Sequence, residues 1–206
     1  MSLTLFGFRW SVYTWIARWA LFEANADYQL VERDPFSPGG CPEHPFNRVP
    51  VLDRDGRRIF ETRAITAFVE DRCGALGPSN DDDRALIEQT ISIADNYVYP
   101  NLVRKVFENE VFLPALGQAV DPMALEEGID AIDRVLSALD GLVVVSAEPT
   151  QPTRADIHLA PMIDYFVRSQ TGTQAIQEYE ALNQWFDEIS KFQGFISTRP
   201  GLPKGI

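Results

Sequence analysis

Cysteine and histidine are scarce in this 206-residue chain, two of each, and positive charge is in short supply, with 18 Lys and Arg against 30 Asp and Glu. The two cysteines, Cys41 and Cys73, form no Cys-x-x-Cys pair, and no Cys/His/Asp/Glu group has metal-ligand spacing, so neither a zinc knuckle nor a local dithiol centre is encoded and no metal is expected. A net charge of −12 repels polyanions at long range, which argues against nucleic acid and against an anionic membrane surface. No apolar run approaches the roughly 20 residues of a spanning helix. Met1-Ser2-Leu3-Thr4-Leu5-Phe6-Gly7 lacks the basic flank and cleavage site of a secretory signal, so the cytoplasm is the expected location. What the chain does have is 45% hydrophobic residues, enough for a substantial core in one large or two small domains.

The N-terminal part alternates extended and helical patterns. Leu3 to Phe6 is an apolar run ended by Gly7, and from Val12 the residues Trp15, Ile16, Trp19 and Ala20 recur at helical spacing, predicting a helix that begins near Ser11. Tyr28 to Glu32 reads as a second strand, and Asp34 to Pro45 as an irregular loop. Val49 to Leu52 and Arg58 to Phe60 flank Asp53-Arg54-Asp55-Gly56, a hairpin signal. A helix from about Thr62 to Arg72 follows, with Gly74 as a stop. The order βαβ then ββα predicts a mixed sheet. Gly77 to Asp83 combines breakers with an acidic run and reads as a linker. Beyond it everything is helical: Ile87, Ile91 and Ala94 mark one helix; Ile129, Ile132, Leu136 and Leu139 another after Asp121-Pro122; Thr153 with Asp156 makes a capping start; and Leu182, Trp185, Phe186 and Ile189 mark the last helix, ended by Gly194 and the prolines after it.

Four stretches in this order resemble the cytosolic glutathione transferases. Ser11 opens the first helix, where the serine- and cysteine-type classes carry their catalytic residue. His44-Pro45-Phe46-Asn47-Arg48-Val49-Pro50-Val51-Leu52 is similar to the family's Asn-Pro-x-x-x-Val-Pro-x-Leu, Glu61-Thr62-Arg63-Ala64-Ile65 to its Glu-Ser-x-Ala-Ile, and Thr153-Arg154-Ala155-Asp156 to its Ser/Thr-x-x-Asp capping segment. Thr62 stands in place of the usual serine and His44 in place of the common asparagine. The resemblance implies an α+β/α architecture: a thioredoxin-like βαβ-ββα domain over residues 1–77, a linker over 78–84 and an all-helical C-terminal domain over 85–206. It is to a bacterial, serine-type member with the class left open, and it also implies a homodimer.

What that family does sets the roles. Glutathione has a γ-glutamyl end with an ammonium and a carboxylate, a central thiol and a glycyl carboxylate. By resemblance, Val49 before a cis Pro50 pairs its backbone with the cysteinyl unit; Glu61 takes the ammonium, and Thr62 with the open N–H groups of its helix takes the carboxylate. Arg48 or His44 is the nearest cation for the glycyl end. The thiol, with a pKa near 8.5 when free, needs ~3 kcal/mol of anion stabilisation to ionise two units lower. A charge-assisted hydrogen bond from Ser11, roughly 1.5 to 3 kcal/mol, and the N-terminus of its helix, about 0.3 to 2, suffice. Attack of that thiolate on an electrophilic, mostly apolar co-substrate is the expected reaction, with Phe8, Trp10, Tyr97, Tyr99, Arg104 and Phe107 as candidates for the co-substrate pocket.

Each of these residues has a plainer reading as well. Ser11 at this position is also an ordinary helix cap, and Tyr13 is a competing hydroxyl for the thiolate. Glu61 and Thr62 are equally a helix start, with Glu61 in the first turn and Thr62 as its cap, and Asp156 is equally a capping residue without chemistry. A binding or assembly module of the same fold without transferase activity, and a glutathione-dependent isomerase or dehalogenase, are the alternatives to conjugation.

Overall fold

The computed structural model describes residues 2–73, 76–78, 81–143 and 151–203. Strands β1 (Leu3–Gly7), β2 (Gln29–Glu32), β3 (Val51–Arg54) and β4 (Arg57–Phe60) form one sheet in the order β2-β1-β3-β4. β1 runs parallel to β2, with Leu5 opposite Leu30, and antiparallel to β3, with Leu5 opposite Leu52. The mixed sheet is the one the sequence order predicts. Its hairpin turns more tightly than expected: Asp53 and Arg54 remain in the strand, and Asp55 and Gly56 alone make the turn, with φ of 50° and 87°. Positive φ at both positions matches the twist of the flanking strands, and Gly tolerates it without strain.

Helix α1 (Val12–Glu23) connects β1 to β2 and buries the whole predicted stripe, Val12, Trp15, Ile16, Trp19 and Ala20. Its first turn lies hard against β1. A Cβ on Gly7 would sit 2.4 Å from Thr14 Cγ2, so only glycine lets this turn approach. Helix α2 (Thr62–Cys73) follows β4. Gly74, its predicted stop, lies outside the described residues, as do Ser79 and Asn80 of the predicted linker. Helix α3 (Asp81–Ile93) begins inside that linker stretch, so residues 81–84 are helical.

α3 continues without a break into α4 (Ala94–Phe112), a wider winding with Pro100 inside it, where the cap N–H of Leu113 reaches back five residues to the Glu108 carbonyl. Periodicity gave no sign of this winding. α5 (Pro122–Asp140) opens on Asp121, whose carboxylate accepts from the N–H groups of Met123 and Ala124 at 3.1 Å. Ile132, Leu136 and Leu139 are buried as the stripe predicts, but Ile129 is exposed. α6 (Arg154–Val167) is the central helix, with the predicted capping box in place: Thr153 N–H donates to Asp156 Oδ2 at 2.7 Å and Asp156 N–H to Thr153 Oγ1 at 3.3 Å. α7 (Gln170–Ala175), α8 (Glu180–Ile189) and α9 (Gln193–Thr198) complete the chain.

The last helix is therefore α9, not α8. Gly194 is inside α9 rather than ending α8, and a Cβ there would lie 2.5 Å from the Trp19 indole. α9 is thus clamped to α1, an arrangement reinforced by the Trp15 indole N–H donating to Thr198 Oγ1 at 3.0 Å.

The helical half joins the sheet half through α2, α3 and α6. Arg154 on α6, nearly buried, pairs with Glu70 of α2 at 2.7 Å and with Glu88 of α3, and Glu88 also holds Arg63 of α2. Thr66 of α2 and His158 of α6 meet at 2.9 Å. Because Thr66 donates to the Arg63 carbonyl, His158 must donate through Nε2–H, which leaves its buried Nδ1 bare. Burial, with Arg154 and Arg63 nearby, pushes the His158 imidazole down to about 3. No helix among the described residues is long and apolar enough to cross a membrane.

Candidate functional site

Between the two halves lies a cleft of about 1040 Å³, lined from the β1–α1 turn, the loop before β3, the start of α2, and α4. Ser11 is the N-cap of α1, in extended geometry (φ −75°, ψ 123°), and its oxygen accepts the Thr14 N–H at 3.2 Å. A hydroxyl that accepts one bond still has its hydrogen to give. Two tethers hold this turn. Phe8 N–H donates to Thr14 Oγ1 at 3.2 Å, and the Tyr165 hydroxyl of α6 donates to the Trp10 carbonyl at 2.9 Å.

Tyr13 faces the same cleft, with the Asp95 carboxylate of α4 in its neighbourhood and its ring 4.7 Å from that of Tyr99. Burial first, and then the charge of Asp95, push the phenol far above its ordinary value, so Tyr13 is neutral at any working pH. Asp95 in turn is pushed up to about 6 by burial, partly offset by Arg63 and by Tyr13, and its Oδ1 is buried without a hydrogen-bond partner.

On the opposite wall, the Val49–Pro50 peptide is cis. Glu61 sits at the mouth of α2 with φ 67°, an uncommon conformation for a residue other than glycine, and its carbonyl accepts the Ile65 N–H, so Glu61 holds the cap position and Thr62 is the first helical residue. Threonine as the cap, the plainer reading above, is thereby corrected. The N–H groups of that first turn have no helical acceptors, and Glu61, Thr62 and Arg63 line the cleft there. His44 is buried: its Nδ1 accepts the Phe46 N–H at 3.0 Å, its Nε2 lies 3.7 Å from Glu61 Oε1, and burial lowers its basicity. Arg48, by contrast, is exposed on the loop and lines the cleft.

The remaining wall is aromatic. Phe8 and Trp10 meet edge to face at 5.4 Å, Trp10 meets Phe112 at 5.9 Å, and Phe107 stacks on Tyr165 at 4.6 Å and 3°. Arg104 and Glu108 form an ion pair within this wall, at 2.6 Å. Phe8, Trp10, Tyr99, Arg104 and Phe107 thus all line the cleft, while Tyr97, also a candidate, is 57% exposed and does not. Phe36, Phe112, Tyr165, Asp95 and Glu108 were missed. For Asp95 no local signal exists, since it is a single acid on a helix. Tyr165 was hidden in an apolar stretch that reads as core.

This geometry can be set beside known proteins. Residues 1–71 match the family model described as glutathione S-transferase, N-terminal domain. The chain has the glutathione transferase fold. Glutathione S-transferase F13 of Arabidopsis thaliana is 24% identical over 98% of this chain and 97% of its own length. A glutathione S-transferase from Rhodospirillum rubrum superposes with a TM-score of 0.82 at 17% identity, over 99% of this chain and 95% of the other. The maize glutathione S-transferase I in complex with an atrazine glutathione conjugate superposes at 0.80 and 19% identity, over 96% of both chains. In this transferase fold, every residue that the sequence offers for thiol, peptide or co-substrate lies on the one cleft, apart from Tyr97. No group of three His, Cys, Asp or Glu side chains among the described residues could hold a metal ion.

Proposed function

We propose that the protein is a serine-type glutathione transferase. Ser11 holds the glutathione thiolate, and the aromatic wall receives an electrophilic, mostly apolar co-substrate. The observation that carries this reading is the cleft itself: a hydroxyl with a hydrogen to give, at the N-terminus of α1, lies on the same surface as cis-Pro50 and the open mouth of α2. The hydroxyl and the helix dipole both favour an anion at one point, and together they reach the ~3 kcal/mol that thiol ionisation near neutral pH requires. Ser11 is preferred over Tyr13 because Ser11 caps the N-terminus of α1, whereas the Tyr13 hydroxyl is buried near the Asp95 carboxylate, whose charge opposes a second anion.

Glutathione lies along this surface with its cysteinyl backbone at Val49, its γ-glutamyl ammonium at Glu61 and its carboxylate at Thr62 and the first N–H groups of α2. Arg48 takes the glycyl carboxylate. His44, buried and held neutral, supports Glu61 and the loop from behind. Phe8, Trp10, Tyr99, Arg104 and Phe107 form the co-substrate wall. The thiolate attacks an electrophilic carbon, forming the C–S bond as a leaving group departs with its electron pair or as a conjugated double bond opens and then takes a proton from water, and the product is the thioether. The relatives that carry the name glutathione S-transferase along nearly their whole length support the same assignment. Residues 1–77 act as the glutathione-binding domain, 78–84 as the linker and 85–206 as the helical domain. The protein works as a cytoplasmic homodimer, and its source is bacterial.

The test is a glutathione titration across pH, read as heat for binding and ultraviolet absorbance for thiolate, on wild type and Ser11→Ala. Thiolate formed near neutral pH and lost in the variant is the expected result. No binding at millimolar glutathione overturns the enzyme reading in favour of a binding module, and sedimentation of the same samples checks the dimer.

A further inference from the structure

A hydroxyl stabilises a thiolate well only if it is held in place, because a hydrogen bond weakens steeply with distance and angle. At Ser11 two constraints are local. Its N–H donates to the Phe8 carbonyl at 2.9 Å, and its Oγ accepts the Thr14 N–H at 3.2 Å. These bonds fix the side chain relative to its own helix and turn, not relative to the helical half that closes the cleft. A third bond makes that connection across 155 residues of sequence: the Tyr165 hydroxyl of α6 donates to the Trp10 carbonyl at 2.9 Å. That carbonyl belongs to the Trp10–Ser11 peptide. The peptide unit is planar, so holding its oxygen also sets the plane that contains the Ser11 nitrogen and Cα.

Tyr165 is itself held from several sides. It is 3% exposed, the Phe107 ring stacks on it at 4.6 Å and 3°, and the Trp15 ring lies 5.9 Å away. The Arg168 guanidinium sits 5.0 Å from its ring centroid, anchored by Asp164 at 2.6 Å and by the Pro200 carbonyl at 3.1 Å. A carbonyl cannot donate, so the one Tyr165 hydrogen is committed to Trp10 and is not a second donor for the thiolate. Burial pushes the phenol up, with Arg168 offsetting it in part and Asp164 adding to it, so this hydrogen stays in place throughout the range in which a thiol titrates.

We propose that Tyr165 is a positioning residue for the reaction: its bond to the Trp10 carbonyl holds Ser11 in the orientation that donates to the thiolate, so the helical half sets the acidity of a thiol bound by the sheet half. This rests on the transferase reading above. Phe107 belongs to the same arrangement. It lines the cleft and lies flat on Tyr165, which puts the co-substrate wall one ring away from the bond that orients Ser11.

The test compares wild type, Tyr165→Phe, Ser11→Ala and the double variant. Phenylalanine keeps the stacked ring and removes only the hydroxyl. Ultraviolet absorbance of bound glutathione across pH gives the thiol pKa, calorimetry at pH 5.5 gives affinity for the neutral thiol, and kcat/KM is followed from pH 5.5 to 9 with circular dichroism as the check of folding. Tyr165→Phe should raise the bound thiol's pKa by about 0.5 to 1, which lowers kcat/KM about three- to tenfold on the acid side of the profile. The alkaline plateau and the affinity at pH 5.5 should stay within about twofold of wild type, because the thiolate, once formed, still attacks and the peptide contacts are untouched. In the Ser11→Ala background the same change should leave the thiol pKa where it is. A side chain that merely stabilises the fold would not move the profile sideways, nor lose its effect when Ser11 is absent.

An unchanged thiol pKa in Tyr165→Phe overturns the proposal. So does an equal shift with and without Ser11, which would mean that Tyr165 acts by another route, and so does a raised co-substrate KM at constant thiol pKa, which would make it a direct contact of the co-substrate. If Tyr165→Phe fails to fold, Phe107→Leu, titrated without co-substrate, replaces it: loss of the stacked ring should move the thiol pKa in the same direction, and an unchanged value overturns the proposal. In each of these failures wild type still binds and ionises glutathione, whereas a wild type that does neither fails the transferase reading itself.

Discussion

At Ser11 a single side chain carries two duties. As N-cap of α1 it satisfies the Thr14 N–H, and in the proposed site its remaining hydrogen is the donor for the thiolate. Replacing it by alanine should lower kcat/KM by about 10- to 100-fold, the loss of one charge-assisted hydrogen bond worth roughly 1.5 to 3 kcal/mol, and should raise the bound thiol's pKa; steady-state rates together with the absorbance titration read both. The same change should cost about 1 kcal/mol of folding stability through the lost cap, visible as a lower urea midpoint. At the other end of the peptide, Arg48→Ala should weaken glutathione binding with little change in kcat, because the contact is made equally in ground and transition states. Calorimetry and the KM-against-kcat split check this. The sequence could offer Ser11 and Tyr13 only as competitors. What separates them is a carboxylate that arrives from residue 95, which no local pattern near the first helix contains.

Among the elements, α6 depends most on one side chain. Asp156 closes the capping box with Thr153 and also accepts the Trp185 indole N–H of α8 at 2.8 Å. Asp156→Ala removes the carboxylate half of the capping box, about 1 kcal/mol, and leaves a partly buried indole donor unsatisfied, about 1 to 3 kcal/mol more. A loss of roughly 2 to 4 kcal/mol in urea unfolding is expected, with glutathione affinity at saturating folded protein unchanged. The capping half of this role was legible in Thr153-Arg154-Ala155-Asp156. The partner on α8 was not, since Trp185 reads as one more member of an apolar stripe. Stripes show which face is buried but not what meets it, and for the same reason Ile129, in step with Ile132 and Leu136, was expected inside and lies exposed.

For the molecule as a whole, acid stability should turn on the contact between α2 and α6. His158 titrates near 3 when folded and near 6.5 when unfolded, so below pH 6.5 the unfolded chain binds more protons and stability falls as pH drops. Between pH 6.5 and 5 this amounts to about 2 kcal/mol. Asp95 works the other way, since its raised value makes the folded state hold a proton more tightly and stability falls as pH rises from about 4 towards 6. The clean measurement is therefore a difference. The stability gap between wild type and His158→Asn in urea should shift by about 2 kcal/mol in favour of the variant between pH 7 and pH 5. A gap that does not move with pH would mean that His158 titrates normally.

The alternation of short apolar runs with helical stripes determined the mixed sheet, the helical second half and most element starts, because hydrophobic period and capping chemistry are local properties written a few residues at a time. The motifs at Ser11, Val49-Pro50 and Glu61-Thr62 named residues that line one cleft. Tertiary structure alone decided what else lines that cleft. Asp95, Glu108 and Tyr165 are distant in sequence and ordinary in their own helices, and they become a site only when α4 and α6 close over the β1–α1 turn. It also decided the ends of elements, such as α9 clamped at Gly194 against Trp19, since a glycine that reads as a stop in one dimension can be the point of closest approach in three.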